Sequence, residues 1–118
     1  MKGWVRDGRG WFESREGETY AIARRVPVRW DLRVETRLPE MGRRRLAHAV
    51  RQDMWRMLRN VRGFQPAVEV TRVADGLRLV AGGAVAGAVP PDAAGRIAWM
   101  LDDRGHRAAW ARSAGHRK

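Results

Sequence analysis

Cysteine is absent from the 118 residues. Disulfides and thiolate metal sites are therefore excluded, and an intracellular compartment is compatible with the composition. Lysine is nearly absent too: only Lys2 and Lys118 occur, and the other basic residues are arginines. No apolar run approaches the roughly 18 residues that a membrane span requires. The N-terminus, Met-Lys-Gly-Trp-Val-Arg-Asp, lacks the apolar stretch of a signal peptide. A soluble, cytoplasmic protein without membrane contact is expected. Internal repeats, low-complexity tracts and domain linkers are missing, and no motif for nucleophilic or acid–base catalysis appears. The chain reads as non-enzymatic and without a cofactor.

What is present describes a folded chain: 44% hydrophobic residues and six tryptophans. The length fits one domain, 1–118, with one core. The net charge is +11, from 24 basic and 13 acidic residues. Arginine-rich composition is what a GC-rich genome produces, but codon bias does not by itself create a charge excess. So high a charge on so small a domain predicts attraction to polyanions. The excess is uneven: residues 40–62 carry +5, while 63–91 carry none.

Residues 43–62 hold the centre of that charge. Placed about 100° apart on a wheel, Leu46, Ala47, Val50, Met54, Met57, Leu58 and Val61 share one arc of roughly 120°, a normal core-facing stripe. The opposite arc holds Arg44, Arg45, His48, Arg51, Gln52, Arg56, Arg59 and Arg62, with Trp55 in its middle. Gly42 or Glu40 begins this helix. Gly63 is expected to end it at C′, with Phe64 folding back on Leu58.

Residues 1–25 read as short strands: Trp4–Arg6 and Trp11–Glu13 around the Asp7-Gly8-Arg9-Gly10 turn, a polar turn at Ser14–Glu18, then Thr19–Ala23. Their aromatics suit a small core better than an RNA-stacking sheet. Residues 28–38 alternate strictly, Val28, Trp30, Leu32, Val34, Thr36 and Leu38 against charged residues, and predict a strand bracketed by Pro27 and Pro39. Its wet face alternates in sign, which suits cross-strand pairing.

Residues 66–82 predict a hairpin across Asp75-Gly76, with Val68 and Val70 paired with Leu79 and Ala81, and Ala74 facing Leu77. Val68, Val70, Leu77, Leu79 and Ala81 then share the face opposite the helix stripe. Gly82–Gly87 lacks the ending of a P-loop and the spacing of a dinucleotide fingerprint. It reads as a strand end where backbone passes close to another element. Pro90-Pro91-Asp92 opens a second helix with Ala94, Ile97, Ala98 and Leu101 inward. Helical segments continue across 91–113, broken at Asp102–Gly105.

The sum is an α+β two-layer sandwich: N-terminal strands, then β-α-β-β-α on an antiparallel sheet. The order is reminiscent of a ferredoxin-like plait lacking its last strand, with the N-terminal strands available as the missing edge.

Three readings of the basic arc compete. In the first, Arg44, Arg45, His48, Arg51, Gln52, Arg59 and Arg62, with Arg107 and the nearby Arg104 and Arg112, hold DNA or RNA phosphates while Trp55 offers a flat face to a base. In the second, the same Trp/Arg face docks an acidic protein or a second copy. In the third, the charge serves only solubility. Trp55 is also open to burial under Trp99 or Trp110. Asp103 and His106, three apart, lack a third ligand and do not make a metal site.

Overall fold

A computed structural model describes residues 3–115. The elements run β1 (Trp4–Arg6), β2 (Phe12–Glu16), β3 (Thr19–Ala23), β4 (Leu32–Leu38), α1 (Arg43–Leu58), β5 (Gln65–Val73), β6 (Gly76–Ala84), α2 (Ala93–Asp102) and α3 (Arg104–Ala114). The six strands form one antiparallel sheet in the order β1-β2-β3-β5-β6-β4. The three helices share one hydrophobic cluster with the sheet. This is the expected α+β sandwich. Among the described residues no helix is long and apolar enough to cross a membrane.

The helix stripe and the hairpin face meet as their periodicities require. Leu46, Ala47, Val50, Met54 and Leu58 of α1 are buried, and so are Val68, Val70, Leu77, Leu79 and Ala81. Each fully buried large aliphatic contributes about 1.5–3 kcal/mol, so this seam supplies the main share of the packing energy.

The plait analogy holds in part. β4 and β5 flank β6, each antiparallel to it, and α1 crosses between them. The N-terminal strands do not supply the missing edge beside β4, however. They extend the opposite side, where β3 pairs with β5. β1 and β2 consequently lie outside β3 at that edge of the sheet, whereas α1 packs mainly on β5 and β3.

Several boundaries differ from the sequence reading. α1 stops at Leu58, not at residue 62; the amide of Val61 bonds to the carbonyl of Leu58 at 2.9 Å, and Gly63, at φ 66°, closes the turn that follows. The first strand after β3 starts at Leu32, not at 28. Asp31 takes the Val85 amide at 3.0 Å with its side chain, and Arg29 donates to the Val85 carbonyl at 3.0 Å, so side chains replace the ladder there. β2 runs on to Glu16, leaving only Gly17-Glu18 as turn.

The hairpin is longer than 66–82. Val68 faces Ala81 and Val70 faces Leu79 as expected, but Val73 pairs with Gly76, so Ala74-Asp75 is the loop and Leu77 faces Arg72. Gly82 and Gly83 lie inside β6, where an added Cβ would run into the carbonyls of Leu32 and Gln65 respectively. The close backbone passage read from the glycines is there, within a strand. On the wet face Arg37 stands opposite Arg78, not an acid, and pairs with Asp75 at 3.4 Å.

In α2 the buried residues are Ala93, Ile97, Met100 and Leu101, while Ala94 and Ala98 face outward. The last helix begins at Arg104 because Asp103 caps it, accepting from the His106 amide at 3.0 Å and His106 Nδ1 at 2.8 Å.

Candidate nucleic-acid interface

The basic arc of α1 divides into two flanks and a crest. One flank packs on α3: Arg45 donates to the Ser113 carbonyl at 3.4 Å, and Asp53 accepts the indole N–H of Trp110 at 2.8 Å. The other flank, with Arg44, His48, Arg51 and Trp55, turns toward the β1–β2 edge. Gln52 and Arg59 stand exposed on the crest, and Arg62 follows in the turn after the helix.

Toward the start of that second flank the charge is spent internally. Arg44 pairs with Glu13 at 3.2 Å. Glu13 also accepts the Tyr20 hydroxyl at 2.6 Å, and the hydroxyl lies 3.0 Å from His48 Nε2. Tyr20 gives its proton to Glu13, so His48 donates Nε2–H to the same oxygen, which sets its tautomer. The bond from Tyr20, reinforced by Arg44, holds the Glu13 carboxyl below its usual range. Burial and the Glu13 bond push the Tyr20 phenol well up. Burial, with Arg44 and Arg51 adding repulsion, pulls His48 down. His48 is thus half-buried and biased to neutrality, bonded into this network beneath the helix.

Further along, the charge stays open. The Arg51 guanidinium lies 4.4 Å from the centre of the Trp11 ring, and that of Arg24 lies 5.4 Å from the same ring. Arg24 also donates to the Gly10 carbonyl at 2.9 Å. Trp11 is aimed there by Asp7, whose carboxylate accepts the amides of Arg9 at 2.7 Å and Trp11 at 3.1 Å. Burial depresses the Arg51 pKa, and its Nε is buried without a hydrogen-bond partner. Among the described residues Arg51, Arg59 and Arg62 form no ion pair.

Trp55 stands 43% exposed beside this cluster, so neither Trp99 nor Trp110 covers it. Trp110 is buried, and Trp99 meets His106 edge-on at 5.8 Å while remaining 61% exposed. Trp11, Arg24, Arg51, Trp55 and the Gly63–Pro66 turn enclose a hollow of ≈ 550 Å³. A second hollow, of ≈ 460 Å³, has Trp11 and Arg24 in its lining together with Arg6, Gly8, Gly10 and Phe12.

A third basic hollow, ≈ 570 Å³, lies at the α1 N-terminus among Arg15, Arg43, Arg44, Arg45 and Arg72. Its charge is answered in part: Glu18 and Glu40 clamp Arg72 at 2.9 and 3.0 Å and Glu13 holds Arg44, while Arg43 donates to the Glu18 carbonyl and Arg15 lies over the Tyr20 ring. The groove at Trp11 and Trp55 is the better candidate because it sets arginines held over an aromatic ring, their charge unneutralised, beside a second and exposed tryptophan.

The expected residues are therefore only partly gathered. Arg51 and Trp55 line the groove, with Arg59 and Arg62 following Trp55 along the chain. Arg44, Arg45 and His48 are engaged in packing. Arg107 belongs elsewhere: it braces α3 on β4 through the Leu101 carbonyl at 2.7 Å, Thr36 Oγ1 at 3.0 Å and the Arg37 carbonyl at 3.1 Å. Arg104 lines a separate shallow hollow with Trp99, and Arg112 is exposed on α3. Trp11 and Arg24 were missed. The Asp-Gly turn before Trp11 was legible, but nothing local places that turn beside a helix. Among the described residues no group of three or more His, Asp or Glu gathers to hold a metal. No family model matches the chain, and comparison with curated proteins and with solved structures yields no significant match.

Proposed function

We propose that this chain is a small, non-enzymatic nucleic-acid-binding protein of the cytoplasm that grips phosphate through the arginines of α1 and its C-terminal turn. The observation that supports this reading is Arg51, without an ion pair among the described residues and lining one hollow with an exposed Trp55, followed along the chain by Arg59 and Arg62, which form no ion pair there either. The charge is also kept against local preference. Arg43, Arg44 and Arg45 fill the first turn of α1, with no acid there. Cations at that end oppose the helix dipole by about 0.3–1 kcal/mol each, a conflict of the kind that marks function more than fold.

Phosphate contacts are largely independent of sequence and release counterions. Four contacts, from Arg24, Arg51, Arg59 and Arg62, predict that affinity falls about fifty-fold between about 50 and about 200 mM salt for a single strand. Gel shifts and anisotropy titrations with generic DNA and RNA measure this. Tight binding that ignores salt refutes the mechanism.

The alternative is docking of an acidic protein or a second copy on the same basic face, where Trp55 stands 43% exposed beside Arg51. Light scattering on the protein alone separates the two. A stable dimer that binds neither nucleic acid selects the alternative.

A further inference from the structure

Resting on the phosphate-binding reading above, we infer that the ligand is an unpaired strand, DNA or RNA, lying in the groove between the C-terminal half of α1 and the β1–β2 edge, with one base stacked on Trp55. The two tryptophans of the groove differ in what their rings already carry. Trp11 has the guanidinium groups of Arg51 and Arg24 within 4.4 and 5.4 Å of its centre. Trp55 is 43% exposed, and among the described residues no ring or guanidinium stacks on it.

One ring thus holds the cations in place, and the other is partly exposed beside them with no ring or guanidinium on it among the described residues. A duplex presents phosphates and groove edges, with its base faces stacked inside. An indole face next to a phosphate-binding arginine is matched by a nucleotide whose base is free to turn outward. Arg51 is fixed for the role. Its guanidinium lies over Trp11 and its buried Nε has no internal partner. The nitrogens at its tip make no hydrogen bond within the described residues, which leaves them for a phosphate oxygen.

The test is fluorescence anisotropy with a labelled mixed-sequence 12-mer, as single-stranded DNA, single-stranded RNA and the DNA duplex. The wild-type chain, Trp55→Ala, Trp55→Phe and Trp99→Ala are compared. The expected result is tighter binding of at least one single strand than of the duplex. Trp55→Ala then weakens that strand about ten-fold or more, Trp55→Phe recovers most of the loss, and Trp99→Ala changes nothing. The DNA and RNA arms show which sugar is preferred, and a preference for either supports the inference. Duplex binding as tight as single-strand binding, or equal losses on both from Trp55→Ala, overturns the unpaired-strand inference while the phosphate reading stands. Binding to none of the three overturns both. Circular dichroism of each variant identifies a loss caused by misfolding, and Trp55→Phe then decides the matter, because it retains a ring.

Discussion

The Arg51 guanidinium lies over Trp11, 4.4 Å from its ring centre, yet its Nε is buried with no hydrogen-bond partner. A guanidinium over an aromatic ring is favourable, and an unpartnered buried N–H is not. The two effects pull stability in opposite directions. Arg51→Met keeps the packed stem and removes the orphaned polar group. Stability in urea is expected to change by less than about 1 kcal/mol, or to rise. Oligonucleotide affinity is expected to fall at least about five-fold, as for a lost charge-assisted contact. A variant that loses stability and keeps affinity would make Arg51 a purely structural residue.

The Glu13–Tyr20–His48 network makes folding acid-sensitive. His48 is held below its ordinary 6.5 by burial first and by Arg44 and Arg51 next. The unfolded chain therefore takes up the His48 proton at a higher pH than the folded one. Its stabilising share is complete above that ordinary value and is lost as pH falls toward the folded pKa. Glu13, held below its ordinary 4.5 by the Tyr20 bond first, acts in the same direction in a lower window. His48→Gln, which keeps an N–H for Tyr20, should flatten the upper part of the profile. The stability difference between wild type and variant, from denaturant titrations, is expected to be constant above about pH 7 and to shift in the variant's favour below about pH 6.

Trp110 is 1% exposed and gives its N–H to Asp53 at 2.8 Å, which ties α3 to α1. Trp110→Phe keeps much of the apolar contact but strips a partner from a largely buried carboxylate. Only Arg56, at 3.3 Å, then remains for Asp53. A loss of about 1–3 kcal/mol is expected in chemical denaturation, with less from Asp53→Asn, which still presents a carbonyl oxygen to the indole.

Two glycines give opposite predictions. Gly83, at φ 134°, has no room for a Cβ against the Gln65 carbonyl, and Ala67 N would lie 3.1 Å away. Gly83→Ala is expected to cost about 3 kcal/mol or more. Gly95 lies exposed in α2 with nothing within 4 Å of an added Cβ. Gly95→Ala should stabilise by up to about 1 kcal/mol, by reducing the freedom of the unfolded chain and improving helix propensity. Thermal melts of the pair check both signs.

Much of the fold was legible because it is written in short-range periodicity. Leu46, Val50, Met54 and Leu58 recur at helical spacing, and Val68, Val70, Leu77 and Leu79 at strand spacing; both sets are buried. Boundaries were less legible where a side chain competes with the backbone ladder. Asp31 ends one strand by taking the Val85 amide, a contact that no local pattern around residue 31 announces. The candidate site was half legible. The wheel separated Trp55 and Arg51 from the core stripe, but it could not tell Arg51, held over Trp11, from Arg44, paired with Glu13. Arg107, added to the ligand contacts from the C-terminal helical segment, is instead what α3 uses to brace β4.

The sequence alone determined which residues of the hairpin and most of those of α1 turn inward, that sheet and helices form two layers, and that one helix carries a dense positive charge. Each of these depends on residue type and on spacing along a few turns of chain. Tertiary structure decided which of those charges remain open. That depends on β3 pairing with β5, which carries the β1–β2 edge out alongside α1 and brings Glu13 to Arg44 and Trp11 to Arg51. A carboxylate cancels a guanidinium, whereas an aromatic face holds it and leaves its charge intact. Which partner each arginine meets is a matter of long-range strand order, and no local pattern encodes that.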